Sequence, residues 1–68
     1  MEKEITKILR KAGEPLETTE ISAALEYRET RNKILGVLFK LMSAGKVRGK
    51  SVGSGKGAWI WWAGKRKN

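Results

Sequence analysis

Cysteine, histidine and aspartate are all missing from this sequence of 68 residues, and proline occurs once, at Pro15. Without cysteine, the fold has neither disulfides nor a thiolate metal site, and an intracellular setting is expected. Without histidine and aspartate, the usual general base, most metal sites and the common nucleophile triads are excluded. We therefore expect a protein that is not an enzyme and that binds no metal, cofactor or small-molecule ligand.

Long hydrophobic runs are also missing. The longest, residues 58–63, has six residues, whereas roughly 20 are needed to span a bilayer. The first seven residues, MEKEITK, are polar and acidic, whereas a signal peptide begins basic and then becomes apolar. We therefore expect a soluble, cytoplasmic protein that does not cross a membrane. So short a chain must also pack a small core efficiently.

Acidic residues are absent from the larger part of the chain. All seven glutamates lie in residues 1–29, where five lysines and arginines leave a net charge of −2, while residues 30–68 carry ten lysines and arginines and no acid, giving +10. A surface selected only for solubility would mix the two signs. Such a polarised charge indicates a surface for a polyanion, and we favour nucleic acid over an anionic membrane.

Two helices are predicted before residue 26. Apolar residues at positions i, i+3, i+4 and i+7 predict a helix over residues 2–12, closed by Gly13 in the left-handed conformation. Glu14-Pro15 prevents its continuation, and residues 16–17 are predicted to be extended. A second helix is predicted from about residue 19 to residue 25, without a full capping box. Its predicted N-cap is Thr18 or Thr19. Its predicted buried residues are Ile21, Ala24 and Leu25.

The stretch from Glu29 to Gly45 predicts a third helix with an unusual outer face. Thr30 is the expected N-cap and Gly45 the stop signal. The apolar stripe consists of Ile34, Val37, Leu38 and Leu41. The outer face contains Gly36, which costs roughly 1 kcal/mol relative to alanine inside a helix, among cationic and amide side chains with no carboxylate after Glu29. Because such a face suits close approach to a polyanion, we interpret this segment as a recognition helix.

The C-terminal part predicts a β-hairpin with a glycine-rich, cationic tip. Residues 46–52 alternate loosely with a period of two, residues 53–57 form the loop, and the following residues are rich in strand formers. We assign residues 1–63 to one domain and residues 64–68 to a flexible basic tail with nothing to bury.

The tryptophans of the second strand are expected on both faces of the hairpin. Trp59 and Trp61 share one face and are predicted to close the core, whereas Ile60 and Trp62 share the other; a β-bulge would reverse this assignment. An exposed Trp62 would mark a dimer or partner surface. The cations of the third helix and of the hairpin are expected to form a common front.

Three segments carry a resemblance to a known family: residues 15–21 entering the second helix, residues 37–47 leaving the third, and the glycine and lysine tip of the hairpin. With this order of elements, the chain resembles the winged helix-turn-helix superfamily over residues 4–62. The resemblance implies an α+β fold, a three-helix winged helix-turn-helix with a C-terminal β-hairpin wing, and a DNA-binding transcription regulator. In such proteins the third helix enters the major groove and the wing contacts the backbone or the minor groove. Members that bind left-handed duplex require Asn and Tyr where this chain has Leu35 and Phe39, so that activity is disfavoured.

Two sets of side chains are candidates for contacts with double-stranded DNA. The recognition-helix set is Arg28, Thr30, Arg31, Asn32, Lys33, Gly36 and Lys40. The wing and tail set is Arg48, Lys50, Ser54, Lys56, Lys65, Arg66 and Lys67. Arginine pairs with guanine and asparagine with adenine, while the wing cations neutralise phosphates. The alternative is that these are solvated surface charges, or that Arg31 pairs with an acid of the second helix.

Other functions remain open. A protein-interaction winged helix, serving as a subunit of a larger nucleic-acid-processing assembly, would use Leu35, Phe39 and Trp62. An RNA or single-strand binder would use exposed tryptophans. For the duplex binder, a homodimer or cooperative assembly on DNA is expected to supply specificity. The glycine-rich loop does not match a phosphate-binding P-loop, because Lys50 and Gly57 stand where Gly and Ser or Thr are required.

Overall fold

The computed structural model describes residues 1–53 and 58–63. In chain order, the elements are α1 (Glu2–Ala12), β1 (Leu16–Glu17), α2 (Thr18–Ala24), α3 (Arg31–Ser43), β2 (Val47–Val52) and β3 (Ala58–Ala63). They form a small α+β domain with three helices and an antiparallel sheet in the order β1-β3-β2. Among the described residues, none of the helices combines the length and the hydrophobicity that a membrane span requires.

The first helix has the predicted bounds and the predicted ending. Its apolar stripe buries Ile5 and Leu9 completely. Gly13 follows the last turn with a φ of 65°, in the left-handed region that glycine enters without steric cost. The short extended segment after Pro15 is also confirmed, since it forms β1 and pairs with β3.

The second helix begins one residue earlier than predicted, and its cap is different. Glu17 is the N-cap, and the backbone N–H of Glu17 donates to the Glu20 carboxylate at 2.7 Å in a capping box. The prediction that a capping box is absent was therefore wrong, as was the assignment of Thr18 or Thr19 as the cap. The reason is that Thr18 is 2 % exposed and belongs to the core, so the cap falls on Glu17, three residues before Glu20.

The predicted burial of Ala24 is also wrong, because Ala24 is exposed. The buried stripe of this segment consists of Thr18, Ile21 and Leu25. At 100° per residue, Ala24 lies about 90° from the centre of that stripe.

The third helix agrees with its predicted cap and core. The Thr30 hydroxyl accepts a hydrogen bond from the backbone N–H of Lys33 at 3.2 Å. The apolar stripe buries Ile34, Leu38 and Leu41, while Val37 is only half-buried. Gly45, with a φ of 78°, follows the last turn.

Alternation along β2 and β3 gives the sheet two different faces. In the antiparallel register, Gly49 lies opposite Trp61 and Ser51 opposite Trp59 on the inner face, which packs on the helices. On the outer face, Arg48 lies opposite Trp62 and Lys50 opposite Ile60. The predicted assignment of the tryptophans to the two faces is confirmed.

Trp61 is the centre of the core. Its side chain is fully buried, and its indole N–H donates to the Thr18 hydroxyl at 2.9 Å. Trp59 stacks on it with the ring centroids 5.2 Å apart, and Phe39 packs edge-on against both rings at 5.2 and 5.3 Å. The ring lies directly over Gly49, where an added Cβ would overlap its Cε3 and Cζ3 atoms. Aromatic packing thus attaches the sheet to α3, with Gly49 providing the space.

Candidate nucleic-acid interface

One side of α3 presents exposed polar residues around Gly36, where the helix has no side chain. Asn32, Gly36 and Lys40 recur at intervals of four, so they follow one line along the helix, and all three are exposed. A Cβ added at Gly36 would meet no atom within 4 Å, so this part of the helix faces open space. No residue of α3 is acidic. The line can therefore approach a polyanion closely without a repelling charge of its own helix.

Arg31 lies in the first turn of α3, about 100° around the helix from Asn32, on the side nearest the hairpin. It is exposed, and it borders a small depression of about 30 Å³ together with Ala58 and Trp59 at the start of β3. Within the described residues, Arg31 takes part in no ion pair. No ion pair joins Arg31 to an acid of α2 in this part of the chain, although Glu17, the N-cap of α2, borders the same depression.

Three other predicted contact residues are in ion pairs. The Arg28 guanidinium lies 2.8 Å from the Glu4 carboxylate, Lys33 Nζ lies 3.8 Å from Glu29, and Lys40 Nζ lies 3.4 Å from Glu2. These pairs are solvent-exposed; the Lys40 side chain, for example, is 76 % accessible. Exposed pairs contribute roughly 0–1 kcal/mol, so phosphate can replace the carboxylate at little cost.

Arg28 is held more firmly than the two lysines. Besides its contact with Glu4, its Nε donates to the backbone carbonyl of Leu25 at 2.9 Å. The hydrogen bond and the charge of Arg28 lower the pKa of Glu4 below its ordinary value, and Glu4 in turn raises the pKa of Arg28. Arg28 therefore fastens the turn before α3 to the start of α1.

The turn that contains Arg28 has a feature that sequence patterns did not predict. Glu26 and Tyr27 both have left-handed backbones, with φ values of 58° and 57°, which only a few per cent of non-glycine residues adopt. Tyr27 is also 75 % exposed. No local signal marks these positions, because neither residue is glycine or asparagine.

The two cations of β2 are separated from the exposed line of α3. Arg48 and Lys50 lie on the outer face of the sheet, whereas α3 packs on the inner face through Phe39. The expectation of a common cationic front is therefore wrong for these two residues. The reason is that successive residues of a strand face opposite sides of the sheet. Val47 and Gly49 lie on the core side of β2, so Arg48 and Lys50 lie on the other side.

Several predicted contacts lie outside the described residues. They are Ser54, Lys56, Lys65, Arg66 and Lys67, together with the predicted loop tip and tail. In the rest of the chain, the structure contains no cluster of three or more carboxylates that could hold a metal ion.

Searches against protein-family models, curated proteins and solved structures found no match for this chain.

Proposed function

We propose that this protein is a winged helix-turn-helix protein that binds double-stranded DNA, as a small transcriptional regulator or an architectural factor. In this arrangement α3 lies in the major groove, and the hairpin of β2 and β3 is the wing. The observation that carries the proposal is the exposed line of Asn32, Gly36 and Lys40 on a helix without acidic residues, with Arg31 in the same first turn as Asn32.

The chemistry of this line suits base edges as well as phosphate. Arg31 and Asn32 occupy the first turn of α3, the part of a recognition helix that meets the bases. Arginine forms two parallel hydrogen bonds with guanine, and asparagine does so with adenine. At Gly36 the bare backbone lets the helix sit deeper in a groove than a side chain would allow.

Electrostatics provides the non-specific part of the affinity. Residues 30–68 carry ten positive charges and no negative one, so the encounter with DNA is steered by a strong field. Lys33 and Lys40 exchange their exposed carboxylate partners for phosphates on binding. Glu2, which lies near Lys40, and Glu29, which lies near Lys33, repel the DNA at the edges of this interface.

A protein-interaction role is less well supported. Such a role would need Leu35 and Phe39 free for a partner, with Arg31 occupied by a salt bridge and Asn32 by a hydrogen bond within the chain. Instead, Leu35 packs against the core, and Phe39, although 38 % exposed, is engaged by Trp59 and Trp61. The exposed groups on α3 are mainly polar and cationic, which favours nucleic acid.

The test is fluorescence anisotropy with a labelled random duplex at a series of salt concentrations. We expect log affinity to fall linearly with log salt, by a slope of about 0.9 for each phosphate neutralised. Affinity that is insensitive to salt would contradict the proposal.

Two single-residue variants test where the duplex binds. Arg31→Ala should weaken binding about tenfold, if its contact is to a base. Lys11→Ala is the matched control, because it removes one exposed cation at the far end of α1 and should change affinity little. Equal losses in the two variants would show that only net charge matters and that α3 is not the contact surface.

A further inference from the structure

The outer face of the sheet combines cations with an aromatic ring in a way that duplex binding by α3 does not use. Arg48 lies directly across the strand pair from Trp62, and Lys50 lies across from Ile60. Arg48 and Lys50 are exposed, while Trp62 is half-buried. We define these four residues as the outer-face site.

Trp62 is accessible from two sides. On one side it borders a depression of about 420 Å³ that also contacts Lys50, Ile60 and Arg10. On the other side it borders a depression of about 470 Å³, next to Arg48 and the end of α3. A flat indole with open space and a cation on either side is suited to a planar ligand that carries negative charge.

The neighbouring tryptophans show that this position is not simply an extension of the core. Trp61 is completely buried, and its N–H is bonded to Thr18. Trp59 is stacked on Trp61 and packed against Phe39. Both rings lie on the inner face, so Trp62 is the tryptophan that the fold presents outward.

We propose that the outer-face site binds single-stranded nucleic acid, with a base stacked on Trp62 and the backbone along Arg48 and Lys50. Proteins that bind single strands without sequence preference combine a cationic surface with aromatic side chains on which bases stack. A base inside a duplex does not expose its face for stacking, which favours a single strand over duplex DNA. Three cations border the depressions beside Trp62, namely Arg10, Arg48 and Lys50, against two nearby carboxylates: Glu14, which borders the first depression, and Glu17 of β1, which lies across from Ile60. Because the cations outnumber the carboxylates beside a mainly apolar depression, this surface suits a flat ligand whose backbone is negatively charged.

This site is separate from the interface proposed for duplex DNA. It lies on the sheet face opposite to the one on which α3 packs. The two activities should therefore respond to different substitutions.

The test is titration with a single-stranded oligothymidylate, followed by intrinsic tryptophan fluorescence and by the anisotropy of a labelled oligomer. Stacking should quench part of the fluorescence of the unmodified protein. Trp62→Leu should remove that quenching and weaken binding by about tenfold or more, while Trp62→Phe, which keeps an aromatic ring, should weaken it less. Lys50→Ala should weaken binding without altering the core, and Glu14→Gln should strengthen it by removing the repelling charge.

Arg31→Ala is the matched control on α3. It should leave oligothymidylate binding unchanged, while Trp62→Leu should leave duplex binding unchanged. Thermal unfolding of each variant, followed by circular dichroism, checks that the fold is retained; if Trp62→Leu does not fold, Trp62→Phe and Lys50→Ala decide.

Three results would overturn the assignment. The first is single-strand affinity that does not change in Trp62→Phe and Lys50→Ala. The second is equal loss of single-strand binding in Arg31→Ala, which would place the strand on α3. The third is no quenching by oligothymidylate together with a change in sedimentation on substitution of Trp62, which would assign the surface to a second copy of the chain.

Discussion

The two faces of the sheet are made from alternate residues of the same strands, yet they differ in almost every physical property. On the inner face, Trp61 is fully buried over Gly49 and bonded to Thr18. The residues that follow them in the two strands, Trp62 after Trp61 and Lys50 after Gly49, lie on the outer face, and both are accessible to solvent. A chain of 68 residues thus uses one hairpin both to complete its core and to present a charged surface.

The contrast also shows where the chain tolerates change. The inner face is closely packed aromatic surface, in which added or removed atoms disturb several rings together. The outer face and the exposed side of α3 have open space around their side chains. Substitutions on the two sides should therefore differ first in stability and then in binding.

The largest expected effect is on the inner face, at Gly49. Gly49→Ala adds a Cβ that overlaps the ring of Trp61, a core side chain that cannot move aside easily. We expect a loss of about 3 kcal/mol or more in the free energy of unfolding, enough to unfold much of so small a domain. Thermal unfolding measures it, with Lys50→Ala on the outer face as the control. Equal melting temperatures for the two variants would refute the contrast between the faces.

The next effect concerns the buried hydrogen bond between Trp61 and Thr18. Thr18→Val keeps the shape of the side chain but leaves the indole N–H without its acceptor. We expect a loss of about 1–3 kcal/mol, measured by urea unfolding. Thr18→Ser retains the hydroxyl and should lose less. If Thr18→Val were as stable as the unmodified protein, this bond would have no net role in the fold.

A smaller effect of opposite sign is expected on α3. Gly36→Ala should stabilise the fold by about 0.5–1 kcal/mol, because alanine is a better helix former and nothing lies within 4 Å of its Cβ. If the helix backbone approaches DNA at this point, the same variant should bind duplex more weakly. A more stable variant with unchanged duplex affinity would show that Gly36 is not at the interface.

The smallest effect is expected for the exposed pair of Glu4 and Arg28. The pKa of Glu4 is lowered in the folded state, so the pair stabilises the fold fully above the ordinary value of 4.5, and this contribution disappears as the pH falls through the lowered pKa. The melting temperature of Glu4→Gln should therefore lie slightly below that of the unmodified protein at neutral pH and converge with it in acid. A difference that persists unchanged at low pH would indicate a cause other than the charge pair.

Local sequence signals predicted most of the elements of the fold. Gly13 and Gly45 end their helices in the left-handed conformation, and Thr30 caps α3. Alternation in the last strand correctly assigned Trp61 to the core and Trp62 to the opposite face. These features depend on the backbone preferences of one turn or on the period of one element, so they are visible without knowledge of the rest of the chain.

Only the tertiary structure determined which side chains from distant parts of the sequence are in contact. Thr18 is 43 residues from Trp61, and its hydroxyl is drawn into the core, which moves the cap of α2 to Glu17. Arg28 is 24 residues from the Glu4 carboxylate that holds it. No local pattern encodes such contacts, because they exist only once the helices and the sheet have packed.

The same distinction between local sequence and tertiary structure applies to the candidate site. That the cations are concentrated after residue 29, and that α3 carries none of the acids, follows from the sequence alone. Which cations have carboxylate partners, and on which side of the sheet Arg48 and Lys50 stand relative to α3, depends on how the sheet docks against the helices. Composition sets the sign and the amount of charge, whereas packing determines the direction in which each charge faces.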